Sequence, residues 1–207
     1  DIEIELSNHT LCFIKNYEEK FNQRTGLGYR QDQSFQNMLS LIEANLIDEE
    51  TIRKLVREVY QPMLRAVSYT LSDEGILTVF SHAPIGLETI EALAKKLNLA
   101  YNDNSALDLI DTIDSINTVL QELLANKTLT QQIGSMDFNS QKPISLLTPL
   151  LRLTWNRVLG NELIVKPSGN FKVQFVHGHI GAMQEVPKLD NAIKLEQVHQ
   201  NLDNNLG

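Results

Sequence analysis

Each of three strand-like runs in this sequence ends in a polar side chain that can bind a metal or a substrate. In α/β proteins, ligand sites are built at the carboxyl tips of the strands. The sequence therefore predicts an α/β fold with a binding site where these tips meet. The runs and their final residues are 2–6 with Asn8-His9, 76–81 with His82, and 171–176 with Gly178-His179.

Histidine is scarce in this chain, and its placement indicates a metal site. Four of the five histidines lie at these three strand ends. The carboxamide of Asn8 and the imidazoles of His82 and His179 form a mixed oxygen and nitrogen set, which suits Mn, Fe or Zn better than Ca or Mg. These ligands are neutral, so a dication also needs carboxylates, and Asp190 is the nearest candidate at a strand end. The sequence thus predicts part of a metal site.

Two further residues are candidates for the chemistry of such a site. His9 adjoins a metal ligand and could serve as a general acid, because an imidazole can donate a proton near neutral pH. Arg157 could hold a phosphoryl group through its planar fork of donors. Each residue also has an ordinary interpretation. Asn8 could cap a helix, His82 could be a turn histidine, and Arg157 could be a surface charge.

Length and charge limit the classes of function. A chain of 207 residues can bury one good core, and one domain is the default. A formal net charge of −8 argues against nucleic-acid binding. No apolar run approaches the roughly 20 residues of a membrane span, and the single cysteine, Cys12, excludes an intrachain disulfide. These features favour a cytoplasmic protein.

Apolar residues at helical spacing predict helices around the strands. The chain has two helix-rich segments, about 22–70 and 100–142, and 126–142 is predicted to be mostly loop. A further short strand begins at Leu189, and the polar tail from Gln200 is expected to fray. The predicted helices cover 9–21, 34–46, 48–63, 87–97 and 105–125, and 143–157 is mostly apolar.

The order of these motifs resembles the second half of a calcineurin-like metallophosphoesterase of the phosphoprotein phosphatase (PPP) family. That family carries strands ending in Gly-Asn-His-Glu, in His-Gly-Gly or His-Ala, and in Gly-His. The five matching segments span about 190 residues, which makes the resemblance moderately specific. They are Ser7-Asn8-His9-Thr10, Phe80-Ser81-His82-Ala83-Pro84, Leu153-Thr154-Trp155-Asn156-Arg157, Val176-His177-Gly178-His179-Ile180 and Leu189-Asp190-Asn191-Ala192.

The resemblance implies a role for each candidate residue. Asn8, His82 and His179 would bind the second metal of a dinuclear pair. His9 would be the general acid, and Arg157 would contact the phosphate. The cofactors implied are two divalent metal ions, with Mn²⁺ preferred and Fe or Zn as alternatives.

The departures from the family pattern concern the start of the domain. Ser7 and Thr10 replace the family's Gly and Glu, but neither position supplies a metal ligand. The two opening motifs, Gly-Asp-x-His-Gly and Gly-Asp-x-x-Asp-Arg-Gly, are absent and would belong upstream of Asp1. Residues 1–207 are therefore expected to be the C-terminal part of one metallophosphoesterase domain, with an inactive relative as the alternative. The helix-rich segments look like those of bacterial effector phosphatases.

By this resemblance the complete protein would hydrolyse phosphomonoesters on phosphoproteins (phosphoserine, phosphothreonine or phosphotyrosine) through attack by a metal-activated hydroxide. Secretion into a host cell as an effector would then be an alternative to a cytoplasmic location. One competing function is hydrolysis of dinucleotide polyphosphates on the same fold. Another is a non-catalytic interaction module whose helical insertions bind a protein partner. A third is a helical adaptor in which the strand-end histidines are coincidental.

Overall fold

The computed structural model describes residues 2–18, 33–133, 148–156, 171–178 and 197–201. Within these ranges the chain combines helices with two small sheets, which confirms the predicted α/β class. The strands are β1 (Ile4–Glu5), β2 (Leu64–Arg65), β3 (Ser68–Leu71), β4 (Ile76–Ser81), β5 (Lys172–His177) and β6 (Gln197–Asn201). The helices are α1 (Asn8–Glu18), α2 (Gln33–Glu43), α3 (Glu49–Leu55), a π-helical turn (Val56–Tyr60), α4 (Gln61–Met63), α5 (Leu87–Lys96), α6 (Ala106–Ala125), α7 (Leu129–Ile133) and α8 (Pro149–Trp155).

The larger sheet of the described residues has the strand order β3-β4-β5-β6. Strands β4, β5 and β6 are parallel, whereas β3 and β4 form an antiparallel hairpin. The hairpin turns at Gly75, whose φ of 76° is easily adopted only by glycine. Because β4 and β5 are parallel neighbours, their carboxyl ends lie at one edge of the sheet.

The first predicted strand, 2–6, is not part of the larger sheet. It is reduced to β1, which pairs in parallel with β2 in a separate two-stranded sheet. The strand is short because Ile2, the first residue of the predicted run, is exposed and does not contribute to a buried strand face. The sequence pattern also gave no indication of β2 or β3, which lie inside the segment 22–70 predicted to be helix-rich.

One core joins the sheet to the helices on it. Strand β4 alternates buried and partly buried residues, and Leu77 and Val79 face the core. Helix α6 adds Leu109, Ile113 and Ile116 to the same core at the spacing of one helical face. Because β4, β5 and α6 share this core, the carboxyl ends of the two strands are fixed relative to the helix.

The predicted helices 48–63, 87–97 and 105–125 are confirmed, with two local features. Asp48 caps α3 by accepting from the Thr51 amide at 2.8 Å. The same helix then widens into the π turn, where the Gln61 amide bonds to the Val56 carbonyl. Pro62 follows directly, and its missing N–H and its ring would disturb a regular α-helical ladder there.

The expectation for the C-terminal tail was wrong in part. Gln200 and Asn201 lie in β6, which pairs with Val176 and His177 of β5. Backbone hydrogen bonds to a buried neighbouring strand stabilise this polar segment, a contribution that its composition does not reveal. The predicted strand from Leu189 lies outside the described residues, as do 134–147, so most of the predicted loop 126–142 stays a prediction apart from α7.

Candidate functional site

Asn8 and His82 meet at the amino end of α1. The Nε2 atom of His82 lies 3.0 Å from the carboxamide oxygen of Asn8. Because that oxygen is an acceptor, the contact requires Nε2 to carry a proton. Asn8 is 4% exposed, and its oxygen also accepts from the amide of His9 at 3.0 Å. Two residues predicted to bind one metal thus lie in direct contact.

Ser7, not Asn8, caps helix α1. The Ser7 hydroxyl accepts from the Thr10 amide at 3.0 Å, and the Ser7 carbonyl accepts from the Leu11 amide at 2.8 Å. The interpretation of Asn8 as a helix cap is therefore wrong. Since Ser7 satisfies the helix end, the Asn8 carboxamide is available to His82.

His82 follows β4 at the carboxyl edge of the sheet, next to the end of β5. Ser81 is paired with His177 across the two strands, and the His82 carbonyl accepts from the Gly178 amide at 3.1 Å. The chain therefore reaches Gly178 beside His82. His179 follows Gly178 in sequence but lies outside the described residues, so its metal role stays a prediction.

The segment after His82 is held by α8. The Ala83 amide donates to the Leu153 carbonyl at 3.0 Å, and the Asn156 carboxamide donates to the Pro84 carbonyl. Asn156 is buried, and sequence reasoning did not identify it. Arg157, the predicted phosphate contact, lies outside the described residues, although its sequence neighbour Asn156 is anchored to the His82 segment.

Glu88 also supports this segment. Its carboxylate lies against Gly86, so an added Cβ at Gly86 would meet it. The hydroxyl of Thr89 donates to the same carboxylate at 3.0 Å. Burial raises the pKa of Glu88, and the positive charge of Arg152 offsets part of that effect. The only sequence signal for this arrangement is a glycine two residues before an acidic residue in the first turn of a helix.

His9 is more exposed to solvent than Asn8 and His82. It is the second residue of α1, and its side chain is exposed. The imidazole is therefore accessible to a substrate while its neighbour Asn8 faces inward. Such a position is compatible with proton donation to a bound molecule, and the role of His9 stays a prediction.

The distance between the Asn8 oxygen and the His82 nitrogen equals the spacing expected for two ligands of one metal ion. Two neighbouring ligands at right angles, each about 2.1 Å from an ion, would lie about 3 Å apart, and the Asn8 oxygen and His82 nitrogen are separated by 3.0 Å. To bind a cation together with the Asn8 oxygen, His82 would need Nε2 unprotonated, with the ring proton on Nδ1. Across the described ranges, no group of three or more His, Cys, Asp or Glu residues could hold a metal. The described residues would therefore supply two donors, Asn8 and His82, to a metal site.

No helix within the part of the chain that the structure describes is long and apolar enough to cross a bilayer.

Comparisons with known proteins add a family and a solved structure. A family model described as "WipA-like, phosphatase domain" matches residues 1–207. Curated protein sequences give no match. The crystal structure of the phosphatase domain from the Legionella effector WipB is similar, with a TM-score of 0.74 and 30% sequence identity. The similarity covers 87% of this chain and 61% of that one, so this chain spans less than two thirds of the WipB structure.

Proposed function

Since the chain belongs to the WipA-like phosphatase domain family, we propose that it forms part of a metal-dependent phosphatase that hydrolyses phosphomonoesters. The resemblance of the sequence to a bacterial effector phosphatase is confirmed by this membership and by the similarity to WipB. The dinuclear metal centre, the PPP relationship and the substrate are the proposed parts. The observation that carries the proposal is the 3.0 Å contact between His82 and Asn8 at the carboxyl edge of the sheet.

In the proposed site, Asn8 and His82 hold one divalent cation, with His179 as the third ligand from this chain. Mn²⁺ is the preferred ion, and Fe or Zn are alternatives because the donors mix oxygen and nitrogen. Bound cations would supply charge at the phosphoryl group and favour deprotonation of the attacking water. Carboxylate ligands of the second cation would come from motifs other than those in this chain.

The remaining residues act on the phosphate ester itself. His9 donates a proton to the leaving oxygen, a role that its exposed position beside Asn8 supports. Arg157 contacts the equatorial phosphoryl oxygens, where charge accumulates in the transition state. The segment held by Asn156 and Leu153 keeps His82 in place during the reaction.

Phosphoproteins are the proposed substrates. An exposed general acid is reachable by a residue on a large partner, whereas a small substrate would not need that exposure. WipB is described as a Legionella effector, which supports the proposal that this protein acts inside a host cell. A translocation reporter fused to the full-length protein tests delivery, and absence of reporter signal in host cells would contradict it.

The function is tested on the full-length protein. Metal content is measured by mass spectrometry, and hydrolysis of p-nitrophenyl phosphate is measured with and without Mn²⁺. About two metals per chain and Mn²⁺-dependent hydrolysis are expected. Phosphopeptides and diadenosine tetraphosphate are then compared as substrates, and preference for the latter would replace the phosphoprotein assignment. A protein that has neither metal nor activity would instead be an interaction module that retains the fold.

A further inference from the structure

Tyr60 connects the helical segment 33–63 to the candidate site. Its hydroxyl donates to the hydroxyl oxygen of Thr10 at 3.2 Å, although 50 positions separate the two residues. Its ring packs edge-on against Phe13, with centroids 5.7 Å apart and an interplanar angle of 77°. Tyr60 therefore contacts α1 through both its polar and its apolar part.

Thr10 transmits this contact to the turn that carries Asn8. Thr10 is buried, and its hydroxyl oxygen also accepts from the Ser7 hydroxyl at 3.0 Å. Ser7 in turn accepts from the Thr10 amide and caps α1. Asn8 lies between these two residues, so the hydrogen bonds from Ser7 and Tyr60 fix the turn from which its carboxamide reaches His82.

The direction of Tyr60 depends on the π-helical turn. Tyr60 is the last residue of that turn, Val56–Tyr60. A π turn accommodates one extra residue, so it changes the rotational phase of the residues at its carboxyl end by about 100° relative to a regular helix. The orientation of the Tyr60 side chain toward Thr10 is therefore set by the phase of the helix at this turn. Such turns are often found at functional sites.

We propose that Tyr60 is a positioning residue that orients Asn8 for metal binding through Thr10. This inference rests on the proposed function, because it assumes a metal ion at Asn8 and His82. It assigns to the helical segment 33–63 a part in the site itself. Tyr60 does not touch the metal or the substrate in this proposal.

The test is the dissociation constant of Mn²⁺, measured by isothermal titration calorimetry on the full-length protein without substrate. Tyr60→Phe removes the hydroxyl and keeps the ring. We expect binding to weaken about three- to tenfold, the usual range for loss of one hydrogen bond. The matched control is Tyr69→Phe, which loses a hydroxyl bonded to Asp114 at 3.0 Å and should bind Mn²⁺ as the unmodified protein does.

A second variant tests whether Tyr60 acts on Asn8 through Thr10. Thr10→Val removes the acceptor of the Tyr60 hydroxyl and also the acceptor of the Ser7 hydroxyl, so it should weaken Mn²⁺ binding at least as much as Tyr60→Phe. The double variant should bind no more weakly than Thr10→Val alone, because Thr10→Val already removes the contact that Tyr60→Phe removes. Thr10→Ser keeps the hydroxyl and should restore most of the affinity.

Several results would overturn the inference. One is an unchanged dissociation constant in Tyr60→Phe, and another is an equal loss in Tyr69→Phe. Fully additive losses in the double variant would show that the two hydroxyls act independently. If the unmodified protein binds no Mn²⁺, the proposed function fails and this inference fails with it. The unmodified protein thus separates failure of the function from failure of the positioning role.

Discussion

The Nε2 atom of His82 lies 3.0 Å from the carboxamide oxygen of Asn8, across 74 positions of sequence. His82 is fixed by β4 and by a backbone bond to Gly178, and Asn8 is fixed by the capped start of α1. Two independently anchored elements thus hold these two side chains together. A metal ion binding there would find its ligands already arranged, which lowers the cost of ordering them.

Removing the side chain of either Asn8 or His82 should weaken Mn²⁺ binding. We expect His82→Ala and Asn8→Ala each to lower Mn²⁺ binding at least tenfold, since mutation of even the supporting residues around a metal site costs 10- to 100-fold. Mass spectrometry of the full-length variants measures the metal content. His9→Ala is the control, because His9 is adjacent in sequence but exposed. Full metal occupancy in His82→Ala would refute its role as a ligand.

His9→Ala should impair turnover without removing metal. A positioned general acid typically contributes about 10²- to 10⁴-fold to rate, so kcat with a phosphopeptide should fall by that amount. The loss should be smaller with p-nitrophenyl phosphate, because p-nitrophenolate leaves without needing a proton. An unchanged kcat on the phosphopeptide would remove His9 from the mechanism.

Ser7→Ala tests whether the cap of α1 serves the site. Loss of a helix cap costs about 0.5–2 kcal/mol of stability, measured by urea unfolding. Ser105→Ala is the matched control, since Ser105 caps α6 by accepting from the Asp108 amide at 3.1 Å. Both variants should be destabilised, but only Ser7→Ala should also weaken Mn²⁺ binding. Equal Mn²⁺ affinities in the two variants would show that the cap is purely structural.

Glu5 should make stability depend on pH. Burial raises its pKa to about 7, and contacts with Ser68 offset part of that effect. A carboxyl whose pKa is higher in the folded state favours folding when protonated, so the free energy of unfolding should fall as pH rises from about 4.5 to 7.

Glu5→Gln removes that decline. At pH 8 the variant should be more stable than the unmodified protein by roughly 1–3 kcal/mol, and at pH 4.5 the two should be similar. Urea unfolding at both pH values provides the measurement. Glu3→Gln is the control, because Glu3 is exposed and paired with Arg65 at 3.1 Å. Identical pH profiles for Glu5→Gln and the unmodified protein would contradict a raised pKa.

Hydrophobic periodicity in the sequence correctly predicted the regular elements that have one buried face. The alternation in β4 and the apolar face of α6 follow from periods of two and 3.6 residues, and both were predicted correctly. The turn before β4 contains Ser72-Asp73-Glu74-Gly75, a run of residue types typical of turns. Strands β2, β3 and β6 were missed because they are short or polar, and pairing with neighbouring strands stabilises them.

By itself the sequence predicted the α/β class, the resemblance to a bacterial effector phosphatase and the candidate residues, because motif order and residue chemistry are properties of the chain. Only the tertiary structure decided that Asn8 faces His82 and that Tyr60 reaches Thr10. Those choices depend on distances between residues 50 or more positions apart and on the phase of a π turn. No local pattern encodes them, since they arise when separately formed elements pack against one another.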